Sequence, residues 1–153
     1  MRKKEREITD MQELESIVKI CDVCRVAFAD GNIPYIVTMN FGYSGDEGKI
    51  YFHCAKEGRK IEMIRKINYV CFEMDAGHDL IAGAHPCDFS MKFISVVGYG
   101  HIYIVDDEEE KTLGLTSIMS HYAGNGEYKF KPSSFDKTFL LRLDIEQMTG
   151  KRT

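Results

Sequence analysis

The chemistry in this chain concentrates at residues 50–60, Ile-Tyr-Phe-His-Cys-Ala-Lys-Glu-Gly-Arg-Lys. A β-type run (Ile50, Tyr51, Phe52) delivers an imidazole and a thiol, His53 and Cys54, to a strand end. Ala55-Lys56-Glu57-Gly58 turns the chain, and Arg59-Lys60 open an amphipathic segment. Cations and unpaired backbone N–H groups then meet at a helix N-terminus, where donors and dipole together stabilise an anion. A phosphate ester suits such a place. The competing reading of Arg59 and Lys60 is a pair of solvated helix cations.

Other combinations carry less. Gly98-Tyr99-Gly100 lacks the third glycine of a dinucleotide fingerprint, with Tyr103 in its place, and no helix opens there. Gly48-Lys49 is followed by Ile50, not the Ser or Thr of a Walker A loop. Cys21-Asp22-Val23-Cys24 is a lone CxxC without the second ligand pair of a structural zinc site, and reads as two small core residues. His78, His85 and Cys87 are three soft ligands in one loop region, but Ser90 stands where a zinc deaminase has its second cysteine. Surface histidines are the simpler account, and no metal is expected.

The elements that position residues 50–60 follow from periodicity. Asp10 caps a helix with Glu13 three residues on, and Leu14, Ile17, Val18 and Cys21 form its apolar face. Residues 23–29 and 33–41 read as a hairpin about Asp30-Gly31-Asn32, residues 42–48 as a loop, and 49–54 as the third strand. A short helix over 57–66, a strand over 69–74, an irregular stretch over 76–90 and a long strand over 91–105 follow. Asp106-Asp107-Glu108-Glu109 then starts a helix with Leu115, Ile118, Met119 and Tyr122 inward. Residues 123–134 read as loop, 135–145 as the last strand and 147–153 as a polar tail. Six strands joined mostly by hairpins, with helices at intervals, imply a mainly β protein: an antiparallel, partly closed barrel with flanking helices.

Bulk properties bound the function. A chain of 153 residues without a linker or repeat is expected to form a single domain over residues 1–153. A net charge of −4 argues against a nucleic-acid partner, and the basic cluster Arg2-Lys3-Lys4-Glu5-Arg6 reads as a solvated tail. There is no apolar run of membrane-spanning length and no signal-like N-terminus. The five cysteines are odd in number and mostly in apolar surroundings, so a cytoplasmic location with reduced thiols is expected.

Residues 51–60 resemble the strand–turn–helix of the FMN-binding split-barrel flavoproteins, the pyridoxamine 5′-phosphate oxidase-like superfamily, and within it the nitroimidazole-reductase group. Cys24-Arg25-Val26-Ala27 with residues 34–43, residues 68–73, residues 93–100 and Thr149-Gly150-Lys151 resemble further segments of the same group, so the likeness runs from about residue 6 to 151.

The resemblance implies a six-stranded antiparallel split β-barrel that binds FMN as a homodimer, with the flavin at the subunit interface. It places the phosphate near His53, Cys54, Ala55, Arg59 and Lys60, and the ring edge near Val37, Thr38, Met39 and Asn40. The partner subunit would add residues from the central strand, Phe93 and Ser95. It further implies an FMN-dependent oxidoreductase passing electrons to a small organic acceptor, a nitroimidazole-type compound being one candidate, with His53 as proton donor. The alternative is a non-enzymatic flavin or haem binder, or an electron relay, on the same barrel. Cys54 departs from the small serine or glycine usual at its position. The basic cluster of the pyridoxamine phosphate oxidases proper is absent, so the resemblance does not extend to that activity.

Overall fold

The computed structural model describes residues 4–153; Arg2 and Lys3 of the basic N-terminal cluster lie outside the described residues. Eight strands form one antiparallel sheet: β1 (Glu7–Ile8), β2 (Cys24–Asp30), β3 (Ile33–Met39), β4 (Phe41–Ser44), β5 (Lys49–Ala55), β6 (Tyr69–Ile81), β7 (Ser90–Val105) and β8 (Thr138–Arg152). The order is β3-β2-β6-β7-β8-β5-β4, with β1 also on β8. Four α-helices flank it: α1 (Met11–Ile20), α2 (Arg59–Lys66), α3 (Glu108–Ala123) and the single turn α4 (Pro132–Phe135).

The expected six-stranded, partly closed barrel is corrected to an open sheet of eight strands. The run 33–41 is not one strand. It breaks at Asn40, pairing with β2 before the break and with β5 after it. β3 and β4 are thus opposite ends of the sheet order, yet only Asn40 separates them in sequence. Two consecutive Cα–Cα steps span under about 8 Å, so the sheet must roll until its ends nearly meet, without the two pairing. The "loop" 42–48 begins as β4, because Gly42 lets the strand press on α3: a Cβ there would stand 2.6 Å from Ser117 Oγ. The "irregular" stretch from 76 continues β6 to Ile81, and the "polar tail" continues β8 to Arg152.

α1 forms behind the expected cap Asp10, and α3 starts within the expected acidic run, capped by Asp107. The Asp10 carboxylate accepts from Glu13 N–H at 2.9 Å, and the Asp107 carboxylate from Glu110 N–H at 2.7 Å. The main core is inside the roll: Phe28, Phe41, Phe52 and Phe72 with Leu14 and Val18 of α1 and Ile61 and Ile64 of α2. A second, smaller core lies outside it, where Leu115 and Ile118 of α3 cover Tyr51, Val105 and Leu140. Tyr122 ties α3 to the Asn40 crossing: its hydroxyl accepts from Phe41 N–H at 3.1 Å and donates to the Asp22 carbonyl at 2.7 Å.

Candidate functional site

Strand alternation distributes the residues of β5 between the two cores. Ile50, Phe52 and Cys54 point into the roll, whereas Tyr51 points to the α3 side, and by the same period of two so does His53. Cys54 is therefore a buried core thiol. Desolvation raises its pKa above the ordinary value, and Lys60 opposes that shift.

His53 keeps an exposed edge and faces a pocket of about 210 Å³ walled by Leu115, Ile118, Met119, Phe130 and Phe135, with Lys131, Ser134 and Thr138 as its polar lining. Withdrawal from water first, and the positive charge of Lys60 second, pull the imidazole below its ordinary pKa of 6.5. At neutral pH the ring is consequently the neutral imidazole, able to accept or donate at its two nitrogens.

Lys60 joins the parts of the site. Its Nζ lies 4.0 Å from Met39 Sδ at the end of β3, and its charge is felt by both His53 and Cys54. One residue earlier, the Arg59 guanidinium stacks on the Tyr35 ring at 4.7 Å. The start of α2 therefore lies along β3. Gly58, at φ 122°, precedes the helix and no side chain caps it. Ile61 N–H and Glu62 N–H turn back to the Gly58 carbonyl, which leaves the first two N–H groups of α2, those of the cations Arg59 and Lys60, for an anion.

The sequence-predicted residues thus separate into two groups. Met39, His53, Cys54, Arg59 and Lys60 come together around the β5–α2 turn, with Ala55 exposed in it. On β3, Val37 and Met39 turn into the core, whereas Thr38 and the neighbouring Asn40 are exposed. Because β3 ends the sheet order, alternate peptide groups along it have no ladder partner and are free to meet a ligand's polar edge.

Phe93 and Ser95 are elsewhere. Strand pairing aligns His53 with Leu140 and Leu140 with Val105, at the far end of β7. Ser95 stands about 30 Å of extended chain from that end, beside Lys151, whose Nζ lies over the Phe93 ring at 4.9 Å.

Sequence reasoning missed the pocket wall. Phe130, Lys131 and Ser134 fall in what reads as loop and Phe135 at the start of the last expected strand, whereas the structure puts Phe135 in α4; their approach to His53 is a long-range contact.

His78 is bound to the sheet instead, its Nε2 2.6 Å from Asp75 Oδ2, and the His85 N–H donates to Asp88 in its own turn at 3.2 Å. Among the described residues no three metal-ligating side chains gather.

The family model for pyridoxamine 5′-phosphate oxidase matches residues 10–152. The chain belongs to that family. No curated protein matches it. Among solved structures, it is similar to a candidate 5-nitroimidazole antibiotic resistance protein from Bacteroides thetaiotaomicron VPI-5482, at 35% identity over 95% of this chain and 86% of that one, with a TM-score of 0.83. The flavocytochrome Anf3 from Azotobacter vinelandii matches at 17% identity, covering 100% of this chain and 72% of its own, with a TM-score of 0.85. The FAD and heme binding protein from Mycobacterium smegmatis matches at 13% identity over 97% and 73%, with a TM-score of 0.85. At such identities the last two testify to the fold alone. The fold is shared with proteins whose names give a flavin or haem, and the donor set at the β5–α2 turn has the chemistry that a phosphate ester requires.

Proposed function

We propose that this protein is an FMN-dependent oxidoreductase that reduces a small organic acceptor, nitroimidazole-type compounds being the first candidates. The observation that carries this reading is the convergence of Lys60, the uncapped start of α2 and His53 beside an apolar pocket. The first two suit a phosphate and the third suits an acceptor. The 35% identity to the candidate 5-nitroimidazole resistance protein supports the choice of acceptor class.

A bound flavin supplies the redox chemistry, taking electrons from a donor and releasing them to the acceptor. The residues of the chain do the rest. Arg59, Lys60 and the first N–H groups of α2 hold the phosphate; Thr38, Asn40 and the free edge of β3 meet the ring's polar side. Leu115, Met119 and Phe130 exclude water from the acceptor. His53 Nδ1 or Nε2 holds the proton that the reduced acceptor takes up. The protein works as a homodimer, in which Phe93 and Ser95 reach the partner's flavin, and it needs neither metal, nucleic acid nor membrane.

The test is reduction of a nitroimidazole by FMN-loaded protein with a nicotinamide donor. His53→Ala should slow acceptor reduction while flavin content stays near that of the parent. Equal rates in parent and variant remove His53 from the chemistry. A flavin that no donor or acceptor turns over favours a binding or relay protein instead.

A further inference from the structure

The β6–β7 hairpin, residues 76–93, is held at its base, where Thr153 bonds Met91 and Phe93, and projects beyond it from the rest of the fold. β2 pairs with β6 only through Arg25–Ala27, opposite Glu73–Cys71, so beyond Asp75 the hairpin has no second strand beside β6. Leu80 and Met91 are cross-strand neighbours and are 60% and 43% exposed; Ile81, on the opposite face, is 41% exposed. Phe89 at the tip is 49% exposed. Exposure on both faces means that the hairpin does not pack on its own barrel. Apolar side chains held out on such an arm mark a contact with another molecule.

Three observations select a second copy of this chain as that molecule. The arm and the His53 pocket lie at opposite ends of β7, which is where an isologous pairing exchanges them. A two-fold axis near Tyr99, mid-way along β7, would set position 93 of one copy against position 105 of the other, and Val105 is two strands from His53. The outer face of β7 around that point is itself apolar and uncovered, with Val97, Tyr99 and Tyr103 exposed and Tyr69 stacked on Tyr99 at 6.2 Å. Charge is complementary too: the arm's distal part carries Asp79 and Asp88 against Lys92, whereas the pocket and turn carry Lys56, Arg59, Lys60 and Lys131 against Glu57.

We propose that the 76–93 arm reaches across a two-fold interface and closes the partner's His53 pocket, Leu80, Met91 and Phe89 supplying the wall that the pocket lacks in one chain. This rests on the homodimer of the proposed function but on no property of the cofactor.

Cys87, an exposed thiol on the arm, makes the test direct. Lys131→Cys places a second thiol on the pocket lining. If the arm closes the partner's pocket, mild oxidation converts this variant into a covalent dimer that reducing agent dissolves, and Lys131→Cys with Cys87→Ser stays unlinked, since a disulfide needs Cβ atoms about 4 Å apart. Sedimentation and flavin content are read on the same samples. Absence of the Cys87-dependent dimer overturns the arm's placement, whether the protein sediments as a dimer or as a monomer; equal linking without Cys87 does the same. Because no flavin is needed for the disulfide, its failure in flavin-bearing protein that sediments as a dimer refutes the arm and leaves the proposed function standing, whereas a monomer overturns the homodimer of that function as well. As a second reading, Leu80→Lys with Met91→Asp, which puts opposite charges across the same strand pair at exposed positions, should lower acceptor turnover at least tenfold more than flavin content; unchanged turnover contradicts the proposal.

Discussion

Replacing Lys60 by methionine separates the phosphate site from the rest of the account. The methionine keeps most of the aliphatic stem and deletes only the charge. Among the described residues the Lys60 ammonium makes no ion pair, and its near polar neighbour is Met39 Sδ at 4.0 Å, so the fold should lose little. If that ammonium instead faces a phosphate, the bound state loses a charge-assisted hydrogen bond of about 1.5–3 kcal/mol, which weakens FMN binding about 10- to 150-fold. The same substitution reaches His53. Lys60 is the second cause of the lowered imidazole pKa, so removing it should move the pKa of the FMN-free protein upward toward 6.5, without reaching it because desolvation remains. Fluorescence titration with FMN gives the affinity, and an NMR pH titration of His53 gives the pKa. An affinity within twofold of the parent, together with a displaced pKa, would refute the phosphate role while proving Lys60 to be near His53. An unmoved pKa would refute the geometry itself.

Four further outcomes are expected. Stability should fall as pH drops through and below 6.5, because the unfolded chain protonates His53 at the ordinary value while the folded ring resists. His53→Gln should flatten that part of a denaturant-midpoint profile, and an unaltered slope would show that other groups cause it. Gly42→Ala should destabilise the protein by about 1–3 kcal/mol, since the new Cβ collides with α3 at Ser117 and Ile118; calorimetry showing an unchanged Tm would contradict that contact. Tyr122→Phe removes the acceptor for Phe41 N–H and the donor to Asp22, which should cost about 1 kcal/mol. Its hydrogen exchange at Phe41 should quicken, and a protected Phe41 amide would count against the link. Asp107→Ala should cost about 1 kcal/mol by loss of the α3 cap with flavin content unchanged, and a variant as stable as the parent in urea would deny the cap its role.

What could be read from the sequence was whatever local chemistry fixes. The cap at Asp10 needed only a side chain and a backbone N–H three residues away, and the bond forms; the acidic run 106–109 marked the start of α3, where Asp107 is the residue that caps it. His53 and Lys60 were legible because a strand end, a glycine turn and a helix start all lie within a few residues. The eight-strand roll was not legible. The exchange of partners at Asn40 leaves no mark on an apolar run that is equally strand-like on either side. The outer half of β6 escaped notice because an arm exposed on both faces has no buried periodicity, and Gly77 and Gly83 punctuate it like a loop. The last third of β8 is polar, so its pairing with β1 and β7 comes from the ladder and not from burial. For the pocket, α3 and the 130–135 segment approach His53 through tertiary packing alone, which no local pattern encodes.

The function proposed for this protein depends on the turn between β5 and α2 holding the phosphate of a flavin mononucleotide. The absorption spectrum of the protein as isolated, followed by the mass of the released cofactor, tests it most directly. The account predicts a yellow protein releasing one FMN per chain, or a colourless one that becomes so on adding FMN and fails to with Arg59 and Lys60 both replaced by alanine. A haem Soret band without flavin, or a sample that takes up no FMN, would contradict it.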